Sequence, residues 1–343
     1  MSMLDVEKMP SKIEGWLSSN VENANVDSYT IMTGGFSRVM ARVELTWSSG
    51  KSETFILRGD PPPEIATMES DRDAEWELLS TLSTIDGIST PAARWYEENT
   101  SIFGTKAIFI DFVEGGSLQS AFDNGLNEEE ALEPFIDLMA SVKFVPLEKL
   151  PSSMFRPDSW ENHMDNLIDR WVHVADSHIE SVPFVRHIAA WLSKRKPAPL
   201  PLGLVHGDFQ QANIIAANEG WQLIDWEFSR IGDPREDLGY YAAYASSVPP
   251  SLIDSNPEKF LDCYRQKTGL GEEVINPITL GYFTVLSTIG TIGPLYTALT
   301  EMSLGKRHGI PVAYNSQLIP VGNRNFINAI EQLEAALETL EGG

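Results

Sequence analysis

The stretch from Leu204 to Asp237, LVHGDFQQANIIAANEGWQLIDWEFSRIGDPRED, restricts the chain more than any other. It sets in order a His-x-Asp loop, Asn213 five residues beyond Asp208, and Asp225 at the end of an apolar run. Asn218-Glu219-Gly220 reads as a tight turn joining two short strands, NIIA and WQLID. Phosphoryl transfer needs a carboxylate to orient or deprotonate an attacking hydroxyl, and oxygen ligands to hold Mg²⁺ on the phosphates. Asp208, Asn213 and Asp225 supply these types. A turn carboxylate, a cap and a strand-end residue could each arise separately; the ordered set is what carries the reading.

The rest of the composition bounds the class. The 343 residues suit two lobes and a large core. No apolar run approaches the roughly 20 residues of a membrane span, and MSMLDVEKMPSKIEGW has no apolar signal core. Cys263 is the single cysteine, so no internal disulfide and no thiolate metal cluster is expected. The expectation is a soluble cytoplasmic chain. Its net charge of −24 repels nucleic acid and anionic membranes, so neither is expected as a partner. The same charge could attract a cationic substrate, although a generally acidic solvated surface is the favoured explanation.

HGDFQQAN resembles the HGD-x4-N catalytic loop of the aminoglycoside phosphotransferase-like kinases, which include choline-kinase types and are relatives of the protein kinases. LIDWE is similar to that family's IDWE or IDFE motif, and GDPREDLGYY to its GDPxxDLA element. The combination most resembles phosphotransferase domains associated with acyl-CoA dehydrogenases. The resemblance spans about residues 25–300. It implies a two-lobed, protein-kinase-like α+β fold: an N-terminal nucleotide-binding lobe over 1–112, built on a small antiparallel sheet, and a larger, mainly helical catalytic and substrate-binding lobe over 113–343. The nucleotide would lie in the cleft between them. It also implies transfer of the γ-phosphoryl group of ATP (or GTP) to a hydroxyl of a small molecule. Asp208 would be the catalytic base, and Asn213 and Asp225 the Mg²⁺ ligands. His206 would be a structural residue of the loop, and Asp237 its brace. A hydroxyacyl or otherwise apolar hydroxyl compound is the acceptor the subfamily resemblance suggests.

The N-terminal third reads as a meander, with strands Tyr29–Met32, Arg38–Trp47 and Glu53–Arg58 separated by TGGFS and SSGKS. At the first turn, Gly34, Gly35, Phe36 and Ser37 would let backbone N–H groups approach phosphate oxygens. They are similar to the family's phosphate-covering loop, with Arg38 in place of its frequent asparagine. Gly50-Lys51-Ser52 imitates the end of a Walker A motif, but Leu45 stands where the first glycine belongs and the segment joins two strands. Arg58 stands where the kinase pattern has a phosphate-binding lysine, an exchange that keeps the charge and alters the geometry. It favours one alternative, a nucleotide-binding pseudokinase or scaffold without turnover. The helical segment 67–84 offers Glu75 as a partner for Arg58, with Glu77 and Asp73 as alternatives. Ala107–Phe112 reads as a buried strand before a Gly-Gly break, and the resemblance implies that the backbone of Asp111, Phe112 and Val113 meets the adenine.

Residues 117–200 read as helical. Trp160, Met164 and Trp171 fit a core face better than a substrate pocket, and His163, His173, His178 and His187 lack the tight spacing of a metal site. Further helices are expected around 237–246, 255–268 and 278–300, the last interrupted by GTIGPLYT, and over about 323–340.

Overall fold

The computed structural model describes residues 3–32, 38–60, 71–177, 184–217, 220–245, 248–306 and 318–341. The chain is α+β and divides into two compact units. One comprises Met1–Asp86 and Thr90–Glu114, the other Gly87–Ser89 and Gly115–Gly343.

The first unit contains α1 (Met9–Asn20), β1 (Ala24–Met32), β2 (Val39–Trp47), β3 (Ser52–Gly59), α2 (Arg72–Leu82), β4 (Ala93–Glu97), the short α3 (Thr100–Phe103) and β5 (Ala107–Asp111). Its five strands run antiparallel in the order β1-β2-β3-β5-β4. The three expected strands are present, and β1 begins earlier, its pairing with β2 extending back to Ala24 opposite Trp47. Lys51 lies in the expected β2–β3 hairpin turn, where Gly50 has φ +86°. Strand alternation does the sorting. Val39, Ala41, Val43, Leu45 and Trp47 all face the core, together with Phe55 and Leu57 of β3. Met9, Ile13, Trp16 and Leu17 of α1 cover that face. Each Val, Leu, Ile, Phe or Met among them contributes about 1.5–3 kcal/mol on full burial. Arg58, one residue from Leu57, therefore points to the other face, where α2 packs.

The second unit contains β6 (Gly116–Ser117), α4 (Leu118–Asp123), α5 (Glu128–Lys143), α6 (Trp160–Ser177), α7 (Phe184–Lys194), β7 (Gly203–Val205), β8 (Ile214–Ala217), β9 (Gly220–Leu223), β10 (Arg230–Gly232), α8 (Arg235–Ala245), α9 (Leu252–Ser255), α10 (Pro257–Thr268), α11 (Pro277–Ser303) and α12 (Leu318–Glu341). Trp160, Met164 and Trp171 lie in its core with Tyr282, Phe283 and Leu286 of α11, so the core reading of these residues holds. Gly239 of α8 permits the close approach of α11: a Cβ there would lie 2.3 Å from the Phe283 carbonyl carbon.

One expectation fails. GTIGPLYT does not interrupt the helix; α11 runs unbroken through it for 27 residues. Pro294 removes one backbone donor, but α11 is packed against α6, α8 and α12, and that burial outweighs local propensity. Among the described residues, no helix is long and apolar enough to cross a membrane.

Candidate active site

The sequence brings the catalytic candidates together through two short pairings. β7 ends at Val205 and pairs antiparallel with β10, which places His206–Asp208 beside the segment that follows Asp225. β8 and β9 form the expected hairpin, with Ile214 opposite Leu223, so Asn213 and Asp225 flank its open end. The turn residues Asn218 and Glu219 lie outside the described residues.

Two buried carboxylates organise the loop. Asp237, in the first turn of α8, accepts the backbone N–H groups of His206 and Gly207, both at 2.8 Å. Gly207 has φ +83°, and a Cβ there would meet the Phe228 carbonyl oxygen at 2.4 Å. No other residue type fits. The His206 ring is fully buried and bonded on both sides. Nε2 lies 3.0 Å from the Ile224 carbonyl, and Nδ1 accepts the Asp208 N–H at 3.3 Å. A carbonyl only accepts and an amide N–H only donates, so the ring is neutral with its proton on Nε2. Burial pushes its pKa down to about 4. The Ile224 N–H donates to the Asn213 carbonyl at 2.9 Å. The Ile224 peptide is thus held from both sides, and the next residue, Asp225, takes the left-handed conformation at φ 69°, ψ 61°. Aspartate tolerates that region better than most residues.

Asp208 is only 9% exposed. Its Oδ2 accepts Nδ2–H of Asn213 at 2.7 Å, and the same amide reaches the Asp208 carbonyl at 3.0 Å. Its Oδ1 accepts Nε2–H of Gln210 at 2.6 Å and the Tyr240 hydroxyl. Burial above all, with the charge of Asp225, pushes its pKa up to about 6 against the opposing hydrogen bonds. That is the environment of a base poised near neutrality.

The donor chemistry of Asn213 and Asp225 fits Mg²⁺. The Asn213 Nδ2 is engaged by Asp208, so Oδ1 is the atom it could offer to a cation, and the Asp225 side chain does not cap the helical turn it precedes. Among the described residues there is no group of three or more His, Cys, Asp or Glu that could hold a metal. A cation here would complete its shell with phosphate oxygens and water, as Mg²⁺ commonly does.

In the first unit, Arg58 and Glu75 form the expected pair, Nε to Oε1 at 3.2 Å, with both side chains buried. The alternatives lie elsewhere: Asp73 bonds Lys106 and Tyr96, and Glu77 is exposed. A second arginine joins the pair. Arg72, 2% exposed, bonds Glu75 and reaches Asp60 at 2.5 Å. Sequence reasoning missed it, although its i,i+3 spacing from Glu75 on α2 was a signal. Asp111 is held by Arg94 through two bonds of 2.6 Å. The N–H groups of Asp111 and Phe112 donate to the carbonyls of Ala92 and Thr54. Val113 therefore carries the remaining N–H of the three. Gly34, Gly35, Phe36 and Ser37 lie outside the described residues.

Sequence reasoning also missed Gln210 and Tyr240 as partners of Asp208. Asp233 and Glu236 anchor a buried network beside the loop. Glu236 accepts Arg230 Nη2 at 2.6 Å, His163 Nε2 at 2.5 Å and the Asp233 N–H at 2.7 Å. Burial pushes its carboxyl up, but Arg230 and His163 outweigh that and hold it at about 2. Asp233 accepts Arg235 and Trp160, both at 2.6 Å.

Residues 33–266 match the phosphotransferase enzyme family. The chain is 24% identical over 200 residues to acyl-CoA dehydrogenase family member 11 of Rattus norvegicus. That match takes in 56% of this chain and 25% of the relative, so the chain spans about a quarter of the curated relative's length. Among solved structures, a protein of Ralstonia eutropha JMP134 described as an aminoglycoside phosphotransferase superposes with a TM-score of 0.70 at 18% identity, covering 94% of this chain and 98% of the other. A thermostable variant of aminoglycoside phosphotransferase APH(4)-Ia, in ternary complex with AMP-PNP and hygromycin B, superposes with a TM-score of 0.60 at 15% identity, over 91% and 98% of the two chains. These likenesses establish the two-lobed, kinase-like α+β fold.

Proposed function

The chain belongs to the phosphotransferase enzyme family, and from that premise we propose that it is a small-molecule kinase, moving the γ-phosphoryl group of ATP or GTP to a hydroxyl. The observation that carries this reading is the buried Asp208 carboxylate, held by three donors and bonded to Asn213 at 2.7 Å. The acceptor hydroxyl donates its hydrogen to Asp208. As its oxygen bonds to the γ-phosphorus, the bond to the nucleoside diphosphate oxygen breaks and that oxygen keeps the electron pair. The hydroxyl proton passes to Asp208. Mg²⁺, when bound, neutralises phosphate charge, and Asn213 Oδ1 with the Asp225 carboxylate would hold it. Arg58, oriented by Glu75 and with a fork suited to phosphate, is the phosphate-binding cation of the first unit. Val113 offers its N–H to the base. AMP-PNP and hygromycin B together in the complex of a protein of similar fold support the pairing of a nucleotide with a small molecule. Positioning and charge stabilisation supply most of the rate in such chemistry.

The test is Mg²⁺-dependent consumption of ATP and GTP against a panel of hydroxylated metabolites and antibiotics. We expect turnover with at least one acceptor, reduced roughly 10²–10⁴-fold in Asp208→Ala. Tight nucleotide binding with no turnover on any acceptor, hydroxyacyl compounds included, would favour the scaffold reading that Arg58 raises. Full turnover in Asp208→Ala would remove the assigned base.

A further inference from the structure

Asp237 and Tyr240 are three residues apart on α8, a spacing that puts both on one side of the helix. Both act on the same loop. Asp237 takes the N–H groups of His206 and Gly207, and the Tyr240 hydroxyl donates to Asp208 Oδ1. The helix itself is seated by Gly239, which lies between these contacts and the backbone of Phe283 on α11.

The donors on Asp208 are unevenly shared. A carboxylate oxygen offers two lone pairs. Oδ1 receives two hydrogen bonds, from Tyr240 and from Gln210 at 2.6 Å. Oδ2 receives one, from Asn213 at 2.7 Å. We propose that Tyr240 is a positioning residue: with Gln210 it fills Oδ1, so that the remaining lone pair of Oδ2 is the one presented to the acceptor hydroxyl. This deepens the phosphotransferase reading and rests on it. The terminal torsion of an aspartate is broad and close to two-fold. Without the tyrosine O–H, the carboxylate swivels and both oxygens compete for the incoming hydrogen. A tyrosine suits the task because its ring is rigid, has only two torsions and carries no charge that would compete for Mg²⁺. In the reacting complex, the hydroxyl proton goes to Oδ2, the hydroxyl oxygen bonds to the γ-phosphorus, and the electron pair of the broken P–O bond leaves on the diphosphate.

The test uses Mg-ATP with water as acceptor, and four proteins: wild type, Tyr240→Phe, Asp208→Ala and the double variant. Tyr240→Phe deletes one oxygen and keeps the ring. We expect kcat to fall roughly tenfold, the usual effect of losing one hydrogen bond to a charged group, with KM for ATP unchanged. In the Asp208→Ala background the same change should have no further effect, because Tyr240 acts through Asp208. A merely structural contribution would reduce turnover equally in both backgrounds and shift the urea midpoint. Wild-type kcat in Tyr240→Phe, an equal loss in both backgrounds, or a loss confined to KM overturns the inference and leaves the phosphotransferase reading standing. Wild-type turnover in Asp208→Ala removes the assigned base and overturns this inference with it; no turnover of Mg-ATP or Mg-GTP by the wild type also overturns this inference, while the acceptor panel decides the phosphotransferase reading.

Discussion

Lowering the pH from 7 to 5 should cost the native protein roughly 2 kcal/mol through His206 alone. The ring is fully buried, with its two nitrogens committed to the Ile224 carbonyl and the Asp208 N–H. A proton added to Nδ1 would face an N–H donor in an apolar pocket walled by Trp226 and Phe209. The unfolded chain takes up this proton near pH 6.5, and the folded chain only near pH 4. The stability is therefore complete above about pH 6.5 and is lost as the pH falls toward 4, about 3 kcal/mol in all. Urea denaturation at pH 7 and pH 5 of the wild type and His206→Gln isolates the effect, because carboxylates titrating in both proteins cancel in the double difference. Glutamine can keep a donor for Ile224 but cannot titrate. We expect the variant to be the less stable at pH 7 and to lose about 2 kcal/mol less than the wild type between pH 7 and pH 5. Parallel losses in the two proteins would refute the argument that a neutral His206 is a condition of the fold.

Four further outcomes follow from the same geometry. Gly207→Ala should destabilise by more than about 3 kcal/mol, since it combines a left-handed backbone with a Cβ 2.4 Å from the Phe228 carbonyl oxygen; its urea midpoint reports this. Asp237→Asn sets an NH₂ group against one of two backbone donors and should cost about 2–4 kcal/mol, and a variant with unchanged midpoint would show that the bracing bonds are dispensable. Glu236→Gln removes the charge partner of Arg230 and should cost about 3–5 kcal/mol at pH 7. Because the Glu236 carboxyl is held at about 2, its stabilisation is present above about pH 4.5 and lost as the pH falls toward 2, so the variant's acid-unfolding curve should be flatter in that window. Asp225→Asn should weaken nucleotide binding in the presence of Mg²⁺ and leave metal-free binding unchanged in calorimetric titration, and equal metal dependence in both proteins would remove Asp225 as a ligand.

Much of the fold was legible because local physics and tertiary packing agreed. The alternation Val39, Ala41, Val43, Leu45, Trp47 specified one buried face of a strand, and packing by α1 is what such a face requires. Arg58 and Glu75 could be paired because the kinase pattern that the chain resembles places a cation and a glutamate at those positions. GTIGPLYT misled because glycine and proline propensities are weak beside the burial of a 27-residue helix. Tyr240 and Gln210 went unseen because nothing local marks a side chain whose partner is defined only once α8 has packed beside the loop.

The sequence by itself determined the identity and order of Asp208, Asn213 and Asp225, and the strand and helix segments of an α+β chain. These are properties of residue type and spacing, readable without knowing what touches what. Only the tertiary structure decided that His206 is neutral, that Arg72 shares Glu75 with Arg58, and that three donors leave one lone pair of Asp208 Oδ2 open. Protonation states and lone-pair occupancy depend on burial and on partners distant in the chain, and those exist only after the elements have packed.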